Sequence, residues 1–126
     1  METRKRGGWG WFWQSVTGIA LIGLLGLHMA AHHFVVEGGL RDYQQVVDYL
    51  AIPLIVVTEI AFLIAVTTHA MLGVRAILFD LGLSARGERM VTGICTIVGA
   101  LTILFGFWLT YTIISQGSSL TAFLTR

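Results

Sequence analysis

The chain has 126 residues, of which 56% are hydrophobic and only 12% are charged, and its mean hydropathy is +0.79. Soluble domains carry about twice this share of charged residues, so the composition indicates a membrane protein and excludes an ordinary soluble domain. The net charge of +1 argues against nucleic acid as a partner, and the single cysteine, Cys95, excludes an internal disulfide.

The first predicted transmembrane helix covers residues 13–34, which is enough to cross roughly 30 Å of hydrocarbon. It is too long for the apolar part of a signal peptide and has no convincing small-residue cleavage site, so we interpret it as a retained span. Basic residues followed by interfacial aromatic residues are typical of the cytoplasmic side of a bilayer. The chain begins with this pattern, formed by Arg4, Lys5, Arg6, Trp9, Trp11 and Trp13.

A polar connection over residues 35–52 follows the first span. Within it, Val46, Val47 and Leu50 fall on one side of a possible short helix, which we expect to lie in the membrane interface. The second predicted span covers residues 53–79 and opens on a proline, because a proline at the first helical position loses no hydrogen bond.

A short charged loop from Asp80 to Arg89 leads to the third predicted span, residues 90–114. The tail, residues 115–126, is small and polar and is expected on the membrane surface. Basic residues concentrate at the amino terminus and in the second loop, which predicts a cytoplasmic amino terminus in the inner (cytoplasmic) membrane of a cell. The sequence therefore predicts one all-α domain over residues 1–126, a membrane bundle of three transmembrane helices.

One face of the second span carries the strongest indication of a site. His69 lies deep in this span, where a histidine is costly and needs a partner. At about 100° per residue, Gly73, Ala76 and Asp80 share the helix face of His69. A flat ligand could therefore meet this face edge-on at the histidine.

The depths of His28 and His69 differ. Each lies about 15 residues into its span, and the two spans run in opposite directions, so the two histidines are on the order of 15 Å apart in depth. A metal ion whose ligands lie at about 2 Å cannot reach both. Each histidine would need its second ligand from elsewhere, so the pattern predicts a partner chain.

Simpler interpretations of the ionisable residues stay open. A histidine near a span end, such as His28, often sits in the headgroup region without a ligand. Glu59 is either solvated at the rim, paired with a cation or part of a proton path. Asp80 could be a solvated helix-end acid, and Arg75 could be an interfacial anchor.

The stretch H-A-M-L-G-V-R-A-I-L-F-D, from His69 to Asp80, resembles the hydrophobic membrane-anchor subunits of succinate dehydrogenase (respiratory complex II), of the smaller, subunit-D-like cytochrome b type. The family pattern there is His-x3-Gly-x-Arg-x4-Asp-Tyr. The first span, W-F-W-Q-S-V-T-G-I-A-L-I-G-L-L-G-L-H, also resembles the family's opening helix. With three spans of matching length, the resemblance covers nearly the whole chain.

This resemblance implies a four-subunit complex in the membrane, made of a flavoprotein, an iron–sulfur subunit and two anchor chains that bind haem b and reduce quinone. It implies that His69 is an axial ligand of haem iron, with Gly73 beside it and Arg75 near a haem propionate. In two-haem members, a first-helix histidine serves the outer haem, which His28 matches. Two haems would suit menaquinone as the electron acceptor, with Glu59 as a candidate proton carrier.

The quinone site departs from the family pattern at two positions. Asp80 matches the family's aspartate, but Leu81 replaces the tyrosine after it, and Ser15 replaces an arginine near the start of the first helix.

Two alternatives to this function stay open. One is an anchor with one haem or none. The other is a non-redox scaffold subunit without a cofactor or with a structural metal on His28 and His32.

Overall fold

The structure is a computed structural model that describes the backbone of residues 8–35 and 42–124 and the side chains of residues 8–34 and 42–117. Within these ranges the chain is all-helical. Its elements are α1 (Gly8–Ala30), a π-helical turn (Ala31–Val35), α2 (Tyr43–Leu50), α3 (Pro53–Asp80) and α4 (Ala85–Leu124). The segments Gly8–Phe34, Pro53–Asp80 and Ala85–Gly117 are each long and apolar enough to cross a membrane, which confirms the predicted fold class.

Helix α3 packs against both α1 and α4, and the short helix α2 packs against α3 and α4. Most large apolar side chains remain exposed on the outer faces of this arrangement, for example Ile22, Ile77 and Leu104. Such faces are stable in a bilayer because lipid tails are as apolar as the side chains themselves. The buried described residues are few, and they are Thr17, Val47, Tyr49, Ala65, Thr67, Cys95, Gly99 and Gly117.

The connection between α3 and α4 is shorter than predicted. The charged loop expected over Asp80–Arg89 is wrong in extent, because only residues 81–84 connect the two helices. Gly82 has a φ of 74°, a left-handed conformation that glycine adopts at little cost and that commonly ends a helix. The Ser84 hydroxyl then accepts a hydrogen bond from the backbone N–H of Gly87 at 3.3 Å and caps the start of α4.

Helix α4 continues beyond the predicted third span, residues 90–114, through the described part of the polar tail. Helix α2 supports this extension. The Tyr43 hydroxyl donates to Oε1 of Gln116 at 3.0 Å, and the Val47 side chain lies directly against the backbone of Gly117. Tertiary packing of this kind stabilises helical segments whose own sequence is a weak helix former.

The short helix predicted in the first connection is confirmed as α2. Asp42 caps it, because its carboxylate accepts from the backbone N–H of Gln45 at 2.8 Å, and the Gln45 side chain accepts from the backbone N–H of Asp42 at 3.2 Å. Helix α2 buries Val47 and Tyr49. Pro53 stands in the first turn of α3, as predicted.

The crossing of α3 and α4 generates a packing prediction. Gly106 lies so close to Leu63 that an added Cβ would overlap this side chain, whereas Gly93 has open space around it within the chain. We expect Gly106→Leu to destabilise the protein by about 1–3 kcal/mol through overpacking, and Gly93→Leu to leave it nearly unchanged. The midpoint of thermal unfolding in detergent measures both variants, and equal losses would contradict the crossing.

Candidate functional site

A first polar cluster, the His69 cluster, consists of His69 on α3 with Gln14 and Thr17 on α1. Nδ1 of His69 lies 3.2 Å from the backbone oxygen of Gln14 and 3.2 Å from Oγ1 of Thr17. Nε2 of His69 lies 3.3 Å from the side-chain nitrogen of Gln14. Both nitrogens of the imidazole therefore face α1.

The hydrogen-bond pattern assigns the tautomer of His69. A carbonyl oxygen can only accept, so Nδ1 must carry the proton and donate it toward Gln14 and Thr17. Thr17 can accept because its own hydroxyl donates to the backbone oxygen of Trp13 at 2.7 Å. Nε2 then carries a lone pair, which receives an N–H of the Gln14 amide.

This arrangement resembles the one that metal-binding histidines have. Histidines that bind metals generally donate their other N–H to a backbone carbonyl or carboxylate, which fixes the tautomer and the ring orientation. Gly18 makes room for the ring, since a Cβ at this position would lie 3.1 Å from Cε1 of His69. Only a flexible glutamine amide contacts the lone pair on Nε2.

Gln14 and Thr17 are not among the site residues predicted from the sequence. The pattern that could have revealed them is the spacing of Gln14, Thr17 and Gly18, which places them on one helix face inside an apolar span. The structure adds that Oε1 of Gln14 is buried and lacks a hydrogen-bond partner. A buried polar atom without a partner is rare and calls for an explanation.

A cavity of about 320 Å³ adjoins Gln14, between α1, α3 and the start of α4. Two of the predicted site residues, Arg75 and Asp80, meet in its lining. The Arg75 guanidinium lies 5.2 Å from the ring centre of Phe79, so a cation and an aromatic ring share one wall. Other described lining residues are Gly10, Trp11, Leu72, Ala76 and Glu88.

Two further predicted residues, Gly73 and Ser15, are not among the described lining residues of this cavity. Gly73 lies against the Gln14 amide, because an added Cβ would be 3.3 Å from its nitrogen. Ser15 is half-buried on α1. The structure thus brings His69, Gly73 and Gln14 together. It places Arg75 and Asp80 in one cavity lining, about two and about three turns further along α3.

A second polar cluster, the Glu59 cluster, consists of Glu59 on α3, His28 and His32 at the end of the first span, and Tyr49 on α2. Nδ1 of His28 lies 2.7 Å and 3.0 Å from the two carboxylate oxygens of Glu59. The Tyr49 hydroxyl donates to Oε1 of Glu59 at 2.6 Å, and Nε2 of His32 lies 3.8 Å from the same oxygen. The Glu59 carboxylate is therefore hydrogen-bonded to side chains of the first span and of α2.

Aromatic contacts hold the two histidines of the Glu59 cluster. The ring of His28 stacks on Phe62 with centroids 4.7 Å apart and lies 4.2 Å from the ring of His32. The His32 ring in turn lies 5.1 Å from the ring of Tyr49. The histidine rings are therefore fixed by packing as well as by hydrogen bonds.

Tyr49 was not predicted, because nothing in the sequence of the first connection shows that α2 folds back onto the first turns of α3. Burial and the hydrogen bond to Glu59 raise the pKa of Tyr49 above its usual value. The phenol therefore stays neutral at physiological pH and acts as a permanent donor to the Glu59 carboxylate.

The two clusters lie at different levels of the antiparallel α1–α3 pair. His69 meets Thr17, and Glu59 meets His28, eleven residues further along α1. At about 1.5 Å per residue this separation is roughly 16 Å. The distance agrees with the depth difference predicted between His28 and His69 and confirms that they do not share one site.

The fold and the two clusters define a multi-pass integral membrane subunit with polar sites at two levels of an apolar bundle. Residues 3–107 match the family described as succinate dehydrogenase/fumarate reductase transmembrane subunit, and the chain belongs to this family. Membership confirms the resemblance derived from the His69–Asp80 stretch. It also implies that the chain works beside the other subunits of a succinate dehydrogenase complex.

Two relatives support the same assignment. A succinate dehydrogenase hydrophobic membrane anchor subunit of Archaeoglobus fulgidus is 32% identical over 103 residues, which cover 82% of this chain and 87% of the relative. The subunit of the same name from Thermoplasma acidophilum is 26% identical over 105 residues, covering 83% and 85% of the two chains. The similarity therefore extends over most of each protein.

The Tyr49–Glu59 contact generates a prediction about stability and pH. We expect Tyr49→Phe to cost about 1–3 kcal/mol at neutral pH, because a hydrogen bond to a charged group is lost. Since the folded-state pKa of Tyr49 is raised, this stabilisation is present in full below the unfolded value of about 10 and is lost as the pH rises through the folded-state pKa.

Thermal unfolding of wild type and Tyr49→Phe across this pH range measures the difference. Tyr43→Phe, which removes the exposed hydroxyl that contacts Gln116, is the matched control. A constant difference between wild type and Tyr49→Phe up to the highest pH would contradict the raised pKa.

Proposed function

We propose that this succinate dehydrogenase membrane anchor binds haem b together with a partner anchor subunit and helps to pass electrons from an iron–sulfur subunit to a membrane quinone. The observation that carries the proposal is the state of His69. Its Nδ1–H is engaged by the Gln14 carbonyl and Thr17, and its Nε2 lone pair is directed to α1 with only a side-chain amide against it.

The residues around His69 fit a haem. His69 would hold the haem iron through Nε2, the nitrogen that the Gln14 amide contacts. Gly18 and Gly73 keep the surrounding backbone free of side chains, and Arg75, one to two turns from His69, offers a guanidinium to a propionate. Bound haem b supplies one-electron transfer, while the protein supplies ligation, orientation and electrostatics.

A second residue to hold the haem would come from the partner anchor. His28 belongs to the other level of the bundle, about 16 Å away along α1, and the described contacts of His69 are with Gln14 and Thr17. A shared haem would therefore join the two anchor chains of the complex.

The cavity beside Gln14 supports the proposal of a quinone site. Its walls are mostly apolar, and Gln14, Arg75 and Asp80 contribute hydrogen-bonding groups. The unpartnered Oε1 of Gln14 belongs to a residue of this lining. We propose that a quinone head group, of the menaquinone type, is received here, with Asp80 near it. The role of Ser15 stays a prediction.

Electrons would reach this site from a flavoprotein through the iron–sulfur subunit. Both would bind on the cytoplasmic side if the predicted orientation of the amino terminus holds. On that side α3 ends and α4 begins, so the cavity would lie on the side where the iron–sulfur subunit binds.

A second haem at His28 is the alternative within the same class. Donation of Nδ1–H to Glu59 leaves a lone pair on Nε2 of His28, which is the state of a haem ligand. The count of haem per flavin distinguishes one haem from two.

The ligand role of His69 predicts the behaviour of a single variant. We expect His69→Ala to remove one haem b per flavin from the purified complex, because an axial ligand is lost. The difference spectrum between reduced and oxidised complex, normalised to flavin, measures the loss. His33→Ala is the control, since His33 is an exposed histidine outside both clusters. Full haem content in His69→Ala would contradict the proposed ligand role of His69.

The Glu59 cluster supports a proton-transfer role for Glu59, because its carboxylate links Tyr49 and His28 by direct hydrogen bonds. We expect Glu59→Gln to slow quinone-linked turnover of the complex and to change its pH dependence, since an amide cannot accept and release a proton. Succinate oxidation by an artificial acceptor at the flavoprotein is the control. Unchanged quinone-linked turnover at every pH would eliminate this role.

A further inference from the structure

We propose that Thr17 is a positioning residue that sets the reduction potential of the haem held by His69, through the hydrogen bond that its hydroxyl accepts from Nδ1–H of His69. Oγ1 of Thr17 lies 3.2 Å from Nδ1 of His69, across the contact between α1 and α3. The inference rests on the proposed function of His69 and deepens it, because it assigns control of that site to a side chain of another helix.

The direction of this hydrogen bond is fixed by the other bond of the Thr17 hydroxyl. A hydroxyl has one proton, and Thr17 donates it to the backbone oxygen of Trp13 at 2.7 Å, with the backbone oxygen of Gln14 more distant at 3.2 Å. What Thr17 offers to His69 is therefore a lone pair of Oγ1. Thr17 is only 8% exposed, so water has little access to this lone pair.

The residue after Thr17 keeps the two groups close. Gly18 lies against the His69 ring, since a Cβ added at Gly18 would be 3.1 Å from Cε1 and 3.5 Å from Nδ1 of His69. A side chain at position 18 would require the ring, and with it Nδ1, to shift away from α1. Thr17 and Gly18 thus act together, because one supplies the acceptor and the other leaves room for the ring.

The acceptor at Nδ1 changes the donor strength of the opposite nitrogen, Nε2. A hydrogen bond accepted from Nδ1–H raises the basicity of a histidine ligand. A more basic Nε2 stabilises ferric iron more than ferrous iron, because the ferric ion carries the greater charge. In the proposed function the one electron that converts ferric to ferrous iron comes from the iron–sulfur subunit. The bond from His69 to Thr17 therefore lowers the potential at which this electron is accepted.

The Gln14 carbonyl is a second acceptor, so the effect of the Thr17 hydroxyl can be isolated. The backbone oxygen of Gln14 lies 3.2 Å from Nδ1 of His69, and side-chain substitutions leave it in place. Without the Thr17 hydroxyl, Nδ1–H still donates to this oxygen, so His69 keeps its tautomer and its position. Thr17→Val, which replaces the hydroxyl with a methyl group of similar size, therefore weakens the acceptors of Nδ1–H and changes little else.

The test is a redox titration of the haem spectrum in the purified complex, scored on the haem that His69→Ala removes. We expect the midpoint potential to rise in Thr17→Val, by about 59 mV if the preference for ferric iron falls tenfold, with haem per flavin unchanged. Thr17→Ser keeps the hydroxyl and is expected to titrate as wild type does. Thr110→Val is the matched control, because Thr110 also donates to a backbone oxygen four residues back, at 2.9 Å, but lies on α4 outside both polar clusters.

Two results would overturn the role of Thr17. One is a midpoint potential that rises no further in Thr17→Val than in Thr110→Val. The other is loss of the haem both in Thr17→Val and in Thr17→Ala, a second variant without the hydroxyl, since the hydroxyl would then hold the ligand instead of setting its potential. Retention of every haem in His69→Ala would refute the proposed function itself, so the two failures are distinguishable.

Discussion

Polar side chains between α1 and α3 have to find partners inside the bundle, because hydrocarbon offers none. The threonines of the spans solve this locally. Thr92, Thr96 and Thr110, for example, each donate to the carbonyl four residues back, at 2.8–2.9 Å. Glutamine, histidine and glutamate side chains cannot be satisfied in this way. They therefore meet across the helices, and both polar clusters are results of this constraint.

The membrane fold could be predicted from the sequence because the spans are long apolar runs whose length matches a bilayer. His69 could be predicted because a single ionisable group at depth is conspicuous. Its partners Gln14 and Thr17 could not, since their contact depends on how α1 is aligned along α3. Sequence periodicity fixes the face of each helix but not the relative translation of two helices.

What could not be predicted depends on long-range contacts. Helix α4 continues beyond the predicted third span, and α2 packs against this extension at Gly117. Tyr49 lies on the short helix predicted in the first connection, but its hydrogen bond to Glu59 is a contact between two elements. Both cases depend on where α2 folds back, which no local pattern in the chain records.

The chain leaves much of its apolar surface to its surroundings. Helix α3 is covered on two sides by α1 and α4, while large side chains such as Ile19, Leu101 and Phe105 remain exposed. Lipid can cover these faces, and so can helices of the other anchor subunit. Because these faces are not covered within the chain, the haem proposed at His69 can be shared between two chains instead of being enclosed by one.

The two clusters also act as fixed points along the α1–α3 pair. Apolar packing in a bilayer has little directional preference, so two smooth helices could slide past each other at small cost. A slide of one turn, about 5.4 Å, would separate His69 from Thr17 and Glu59 from His28 in the same movement. Because the fixed points are roughly 16 Å apart, they also resist tilting of one helix against the other. The residues proposed for electron and proton transfer thus also fix the alignment of α1 against α3.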